Sequence, residues 1–215
     1  MKGRLKTGCY IGILFLLTGC AGLRNPINLY NAQEYHSAAE QAEQNGDLLL
    51  AREYYHRALL NAQWGNAPKA GVSMATYNLG RIRGYLCEYI EAEKLLKEAL
   101  KLQEEVPIAD DPDHGILSMR LFELARFYYD FGHNEQAIPY WERGIPLAEK
   151  VDIETSDPIA YANVLDEYAV SLKKTNQPDK ADTIKTKADE IRSRNPGKEA
   201  TFIPRWYNQK CGAVK

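Results

Sequence analysis

The chain has 215 residues, of which 45% are hydrophobic and 26% charged, and its formal net charge at pH 7 is −2. A chain of this length can bury one well-packed core. The slight negative charge argues against nucleic acid as a partner and against an electrostatic hold on anionic lipid.

The first 19 residues have the layout of a secretory signal. Lys2, Arg4 and Lys6 form a basic start, and an apolar run over 10–17 follows. A helix needs roughly 20 apolar residues to cross a bilayer, and this run is shorter. It therefore predicts a cleaved signal peptide over 1–19. Loss of its three basic residues would take the net charge from −2 to −5.

The signal ends in Leu17-Thr18-Gly19-Cys20, which resembles the bacterial lipobox. This resemblance implies cleavage before Cys20 and attachment of lipid to its sulfur; an ordinary signal peptide with an incidental cysteine is the alternative. Ala21, rather than Asp, follows the cysteine, which by the same resemblance favours the outer membrane, facing the periplasm, if the cell is Gram-negative. Residues 20–28 are then predicted to be the lipidated cysteine and a short tether.

Turn-forming residues divide 29–195 into four predicted helix pairs. Asp47, Asp113 and Asn134 are candidate N-caps. Pro139 and Pro146 lie inside one predicted helix and are expected to kink it. The predicted pairs are 29–44 with 47–63, 68–86 with 89–106, 114–131 with 134–150, and 158–174 with 178–194.

Each second helix carries a small residue, a larger one four positions later and a small one three after that. On a helix, this spacing places all three on one face, which lets a neighbouring helix approach closely. The sets recur every 41 to 45 residues, and such a period indicates stacked helical repeats. They are Ala51–Tyr55–Ala58, Ala92–Leu96–Ala99, Ala137–Trp141–Gly144 and Ala181–Lys185–Ala188.

Together with the pairs Leu79-Gly80 and Leu124-Ala125, these sets resemble tetratricopeptide (TPR) repeats, and the loop 111–114 resembles that of the longer kinesin-light-chain variety. The resemblance implies an all-α, right-handed solenoid of about four helix pairs, with HEAT-type pairs as the alternative. Lys185 replaces a large apolar residue, which suits a polar capping repeat.

The resemblance also implies that the first helices of the pairs line a concave groove. Methionine, aromatic and arginine residues share one face of these helices, and aromatic and arginine residues are enriched at interfaces. No acidic residue lies on that stripe, so the sequence predicts a groove for a protein or peptide with a carboxylate. The predicted groove residues are Met74, Tyr77, Arg81, Tyr85, Met119, Phe122, Arg126 and Tyr129.

No arrangement of residues predicts catalysis, a cofactor or a metal site. The acidic loop 110–114 is the densest group of metal-ligand types, but its simpler role is to cap the next helix. Cys87 and Cys211 are expected to be two isolated thiols, although an oxidising compartment would allow them to pair. The tail, 196–215, is expected to pack on the last helix through Phe202, Trp206 and Tyr207.

The predicted function is a non-enzymatic adaptor or assembly factor, anchored to a membrane of the bacterial cell envelope and binding a partner in its groove. The alternative is a structural subunit of an outer-membrane, secretion or pilus complex, resembling a pilotin, that uses its convex face or its tail. The sequence identifies neither the partner nor the pathway.

Overall fold

The computed structural model describes residues 24–112, 114–207 and 211. The predicted signal peptide, the lipidation site Cys20 and the candidate cap Asp113 lie outside these residues. Within them the chain forms nine helices and no strand. The helices are α1 (Pro26–Gln44), α2 (Leu48–Trp64), α3 (Lys69–Tyr85), α4 (Tyr89–Glu104), α5 (Gly115–Asp130), α6 (Asn134–Lys150), α7 (Ile153–Ser156), α8 (Pro158–Lys174) and α9 (Pro178–Arg194).

The helices form an all-α solenoid of four stacked pairs. The pairs are α1 with α2, α3 with α4, α5 with α6, and α8 with α9. Successive pairs stack through α2 on α3, α4 on α5 and α6 on α8, as the sequence period predicts. None of the helices in the described part of the chain is long and apolar enough to span a membrane.

The first helix begins earlier than predicted. Asn25 accepts hydrogen bonds from the backbone N–H groups of Ile27 and Asn28, and Pro26 occupies the first helical position, where its missing N–H costs nothing. The prediction of a tether to residue 28 is therefore wrong for residues 26–28. By contrast, α6 runs through Pro139 and Pro146 without ending.

The helix caps follow the prediction in part. Asp47 caps α2 by accepting from the N–H of Leu50 at 3.0 Å. Asn134 does not cap α6: it is the first helical residue, and its amide donates to the Gly132 carbonyl at 2.9 Å. Asp111 serves α5, since its buried carboxylate accepts from the N–H groups of Ile116 and Leu117 at 3.3 and 3.1 Å.

The small residues lie in the core, as the spacing predicts. Trp141 is fully buried, and a Cβ on Gly144 would lie 2.7 Å from the ring of Phe122 on the preceding helix of the pair. A side chain at position 144 would push the two helices apart. Lys185 is exposed and pairs with Asp166 and Asp189, which fits a polar outer face on the last repeat.

Candidate peptide-binding groove

The first helices α3, α5 and α8 form one continuous surface, here called the groove. Four of the predicted residues, Tyr77, Met119, Phe122 and Arg126, line a cavity of about 280 Å³ in it. The other four, Met74, Arg81, Tyr85 and Tyr129, lie elsewhere on α3 and α5. The sulfur of Met74 accepts a hydrogen bond from Arg120. The guanidinium of Arg81 lies near the rings of Tyr77 and Tyr85, and the ring of Tyr129 lies near that of Trp206.

The two predicted arginines are already paired with carboxylates of the chain. Both terminal nitrogens of Arg81 bond to Glu43, at 3.2 and 3.1 Å. Arg126 is buried and bonds to the equally buried Glu167 at 3.1 Å. No acidic residue lies on the same stripe, but carboxylates from α1 and α8 reach both arginines, so the prediction that they are available to a carboxylate of a partner is wrong.

The C-terminal tail lies in the groove and not, as predicted, on the last helix. At its start, the N–H groups of Thr201 and Phe202 donate to Asp157 at the beginning of α8, both at 3.1 Å. Further along, the N–H of Tyr207 donates to Asp130 on α5 at 2.8 Å. The tail therefore crosses the groove from α8 towards α3.

The ring of Tyr207 is buried between α3 and α5. It stacks on Tyr85 at 4.8 Å and meets Phe127 edge-on at 5.2 Å between ring centroids. Its hydroxyl donates to Glu123, which also accepts from the hydroxyl of Tyr77 at 3.0 Å. One buried carboxylate thus joins two phenols from distant parts of the chain, and the site that holds the ring of Tyr207 is here called the seat.

A disulfide joins the tail to the turn after α3. Cys87 and Cys211, which are 124 residues apart, are bonded with a Cα–Cα distance of 5.5 Å. The expectation of two isolated thiols is wrong, because the tail returns to the end of α3 and brings Cys211 to the turn. Cys87 itself has a φ of 65°, in the left-handed region, as expected for a residue that ends a helix.

Burial changes the acidity of the carboxyls beneath the tail. Burial raises the pKa of Asp130 to about 7, although the N–H of Tyr207 and the charge of Arg126 act in the opposite direction. Burial also raises the pKa of Glu167, which the ion pair with Arg126 partly offsets. These carboxyls are therefore poor sites for a further negative charge.

The cavity beside the tail is mainly apolar. It is lined by Ala160, Tyr161 and Val164 of α8 and by Phe202 and Pro204 of the tail. Of the residues that line it, Met119 and Phe202 are also exposed to solvent. With Arg126 already neutralised by Glu167, the cavity suits an apolar group.

No group of three or more histidine, cysteine, aspartate or glutamate side chains could hold a metal ion within the described residues. In the loop 110–114, Asp111 is occupied with the N-terminus of α5 and with the amide of Gln103.

No family model and no curated protein matches this chain. Among solved structures, BtubC (BKLC) from P. vanneervenii is similar, with 20% identity, a TM-score of 0.68 and coverage of 81% of this chain and 70% of its own. A protein of nearly identical kinesin-light-chain TPR-like repeats from Podosopora anserina has 18% identity, a TM-score of 0.60, and coverage of 76% and 75%. The fold is a right-handed TPR-like α-solenoid.

Proposed function

We propose that this protein is a membrane-anchored adaptor or assembly factor of a bacterial cell envelope that binds a partner protein in its groove. One observation carries the proposal: an apolar cavity of about 280 Å³ lies where the sequence predicts the partner site, and four predicted residues line it. A cavity of this kind accepts a large apolar side chain of a partner.

The tail supports the same proposal. It is an extended segment without helical hydrogen bonds over 202–206, and the groove holds it through backbone N–H groups and aromatic rings. The groove therefore has the shape and the hydrogen-bond acceptors to bind an extended peptide.

The predicted acidic partner does not fit this arrangement. Arg81 and Arg126 are neutralised, and the carboxylates Glu123, Asp130 and Asp157 face the tail. A partner that brings apolar or cationic groups meets complementary surface, whereas a carboxylate would meet like charge.

Site-specific photo-crosslinking in cells tests the partner site. A crosslinking amino acid at Met119, on the cavity, should capture a defined partner. The same group at Ile90, which is exposed on α4 away from the cavity, is the matched control. Capture of the same protein with equal yield at both positions would overturn the proposed site.

Fractionation tests the anchor independently. Because Cys20 is in register with the signal, Cys20→Ser should release the protein from the membrane fraction, and intact-mass analysis would establish whether the signal was cleaved. A cleaved Cys20→Ser protein that remains wholly in the membrane fraction would contradict lipid anchoring.

A further inference from the structure

We propose that the groove between α3 and α5 is a binding site for an extended, neutral or basic peptide segment that carries a tyrosine, and that the Cys87–Cys211 disulfide keeps the chain's own tail in this site. The occupant that we infer is a segment of another protein with the chemistry of the tail. This proposal deepens the proposed function, since the site adjoins the cavity and shares Tyr77 and Glu123 with it.

The residues of the seat define which chemical groups a ligand needs. Gly84 leaves room for a flat ring, since a Cβ at this position would lie 2.4 Å from the ring of Tyr207. Glu123 accepts a phenolic hydroxyl, and Asp130 accepts the backbone N–H of the same residue. A tyrosine in an extended segment satisfies all three conditions at once.

The charges around the seat define the rest of the ligand. The guanidinium of Arg205, two residues before Tyr207, lies 5.4 Å from the centre of the Tyr85 ring. Because Glu123 and Asp130 are the acceptors in the seat, a second negative charge would be unfavourable there. A basic or neutral segment therefore fits better than an acidic one.

The tail is a separate segment that is held on the solenoid at two places. The side chains of Phe202 and Ile203 are exposed where the tail leaves Asp157 on its way to Tyr207. The helix pairs bury their own core through residues such as Trp141 and Leu96, which lie on second helices away from the tail. Departure of the tail would remove Tyr207 from the core beside the first helices, while the contacts of Trp141 and Leu96 on the second helices would remain.

The disulfide holds the tail at the turn after α3, so its opening is the first step in releasing the tail. Its opening requires a reductant of the dithiol class. One thiolate of the dithiol attacks the Cys211 sulfur, Cys87 leaves as a thiolate and takes up a proton, and the second thiol resolves the mixed disulfide. Two electrons pass to the protein, which ends with two thiols, and the dithiol ends as a disulfide.

With the disulfide intact, the tail cannot diffuse away, and its effective concentration at the seat is in the millimolar range. An incoming peptide must compete with it. With the disulfide open, the tail is still tethered and still competes. Removal of its anchor, Tyr207, is therefore also needed to expose the site fully.

The test uses the full chain and a fluorescent peptide with the sequence of residues 200–207, measured by fluorescence anisotropy. The peptide should bind the Cys211→Ser, Tyr207→Ala double variant at least about tenfold more tightly than the oxidised wild type. Adding Gly84→Ala to the double variant should weaken binding at least about tenfold, and so should replacing the tyrosine of the peptide with alanine.

Circular dichroism would establish that each variant is folded. Absence of binding to a folded double variant would overturn the proposal, as would equal binding to the oxidised wild type or to the Gly84→Ala variant.

Light scattering on the reduced wild type tests whether the occupant is the tail of a second copy of this chain. A dimer that dissociates when Gly84→Ala is introduced would assign the seat to that tail and overturn the proposal of a peptide from another protein. A second peptide, in which the residues that match Phe202 and Pro204 are alanine, lacks the side chains that line the cavity. It should still bind the double variant and still lose binding with Gly84→Ala, and failure of this peptide to bind would place the interaction in the cavity and overturn the proposal for the seat.

Discussion

The ring of Tyr207 occupies the space that a side chain at Gly84 would fill. A Cβ at position 84 would lie 2.4 and 2.6 Å from two ring carbons, closer than real side chains approach one another. The tail can dock here because residue 84 has no side chain, although it lies inside a helix, where glycine is unfavourable.

Gly84→Ala should therefore destabilise the oxidised protein. Alanine favours a helix by roughly 1 kcal/mol over glycine, but here it would displace a buried aromatic ring, which costs more. Gly71→Ala on the same helix is the matched control, since a Cβ there meets only the Ala67 methyl at 3.6 Å. Urea denaturation should show a loss for Gly84→Ala and a gain for Gly71→Ala, and a gain for both would mean that Tyr207 does not occupy its seat.

Opening the disulfide should also lower stability. Cys87 and Cys211 close a loop of 124 residues, and a crosslink of that span stabilises a protein by roughly 2–5 kcal/mol through the unfolded state. The free energy of unfolding of Cys211→Ser should fall by about that amount relative to the oxidised wild type, and it should not change when a reductant is added. A wild type that is equally stable with and without reductant would contradict the bond.

The register of the repeats could be predicted from the sequence because it depends on local residues. The bounds of α8 and α9 agree with the prediction at both ends, since Asp157, Pro158 and Pro178 mark helix starts through the backbone itself. The burial of Trp141 followed from the small residues on either side of it at helical spacing.

The partners of the groove residues could not be predicted in the same way. Arg126 and Glu167 are 41 residues apart, and they meet only because α5 and α8 have particular rotations about their axes. The hydrogen bond from Tyr207 to Asp130 joins residues 77 apart, and the tail has no period to reveal its path. The only local signals were Gly84 inside a helix and the cysteine three residues later.

The ion pair between Arg126 and Glu167 in the groove should be important for stability, because both side chains are buried. Arg126→Ala would leave Glu167 buried without its partner, which costs roughly 3–5 kcal/mol. Arg57→Ala, which removes an exposed pair with Glu53, should cost less than about 1 kcal/mol. Chemical denaturation of both would decide this, and equal small losses would show that Glu167 is not buried against Arg126.

The raised pKa of Asp130 should make stability depend on pH. The pKa is about 7 in the folded protein and 3.8 ordinarily, so the folded state binds this proton more tightly than the unfolded state. The stabilisation that the protonated carboxyl gives the folded state is fully present below pH 3.8 and is lost as the pH rises through about 7. At 1.36 kcal/mol per pKa unit, the loss in the free energy of unfolding over this pH range is at most ~4 kcal/mol.

Asp130→Asn is the matched variant, because its side-chain oxygen can still accept from the N–H of Tyr207 but does not titrate. The difference in unfolding free energy between wild type and variant should shift in favour of the variant between about pH 4 and 7 and be constant at higher pH. Parallel pH profiles for the two proteins would rule out a titrating Asp130.

The most direct test of the groove as the partner site is calorimetry with the partner that crosslinks at Met119. Met119→Glu places a charge at the edge of the apolar cavity on a side chain that is 49% exposed, so the fold should tolerate it. We predict that it weakens binding at least about tenfold, while Ile90→Glu on α4 leaves the affinity unchanged. An affinity that is the same for Met119→Glu and wild type, with both proteins folded, would contradict the account.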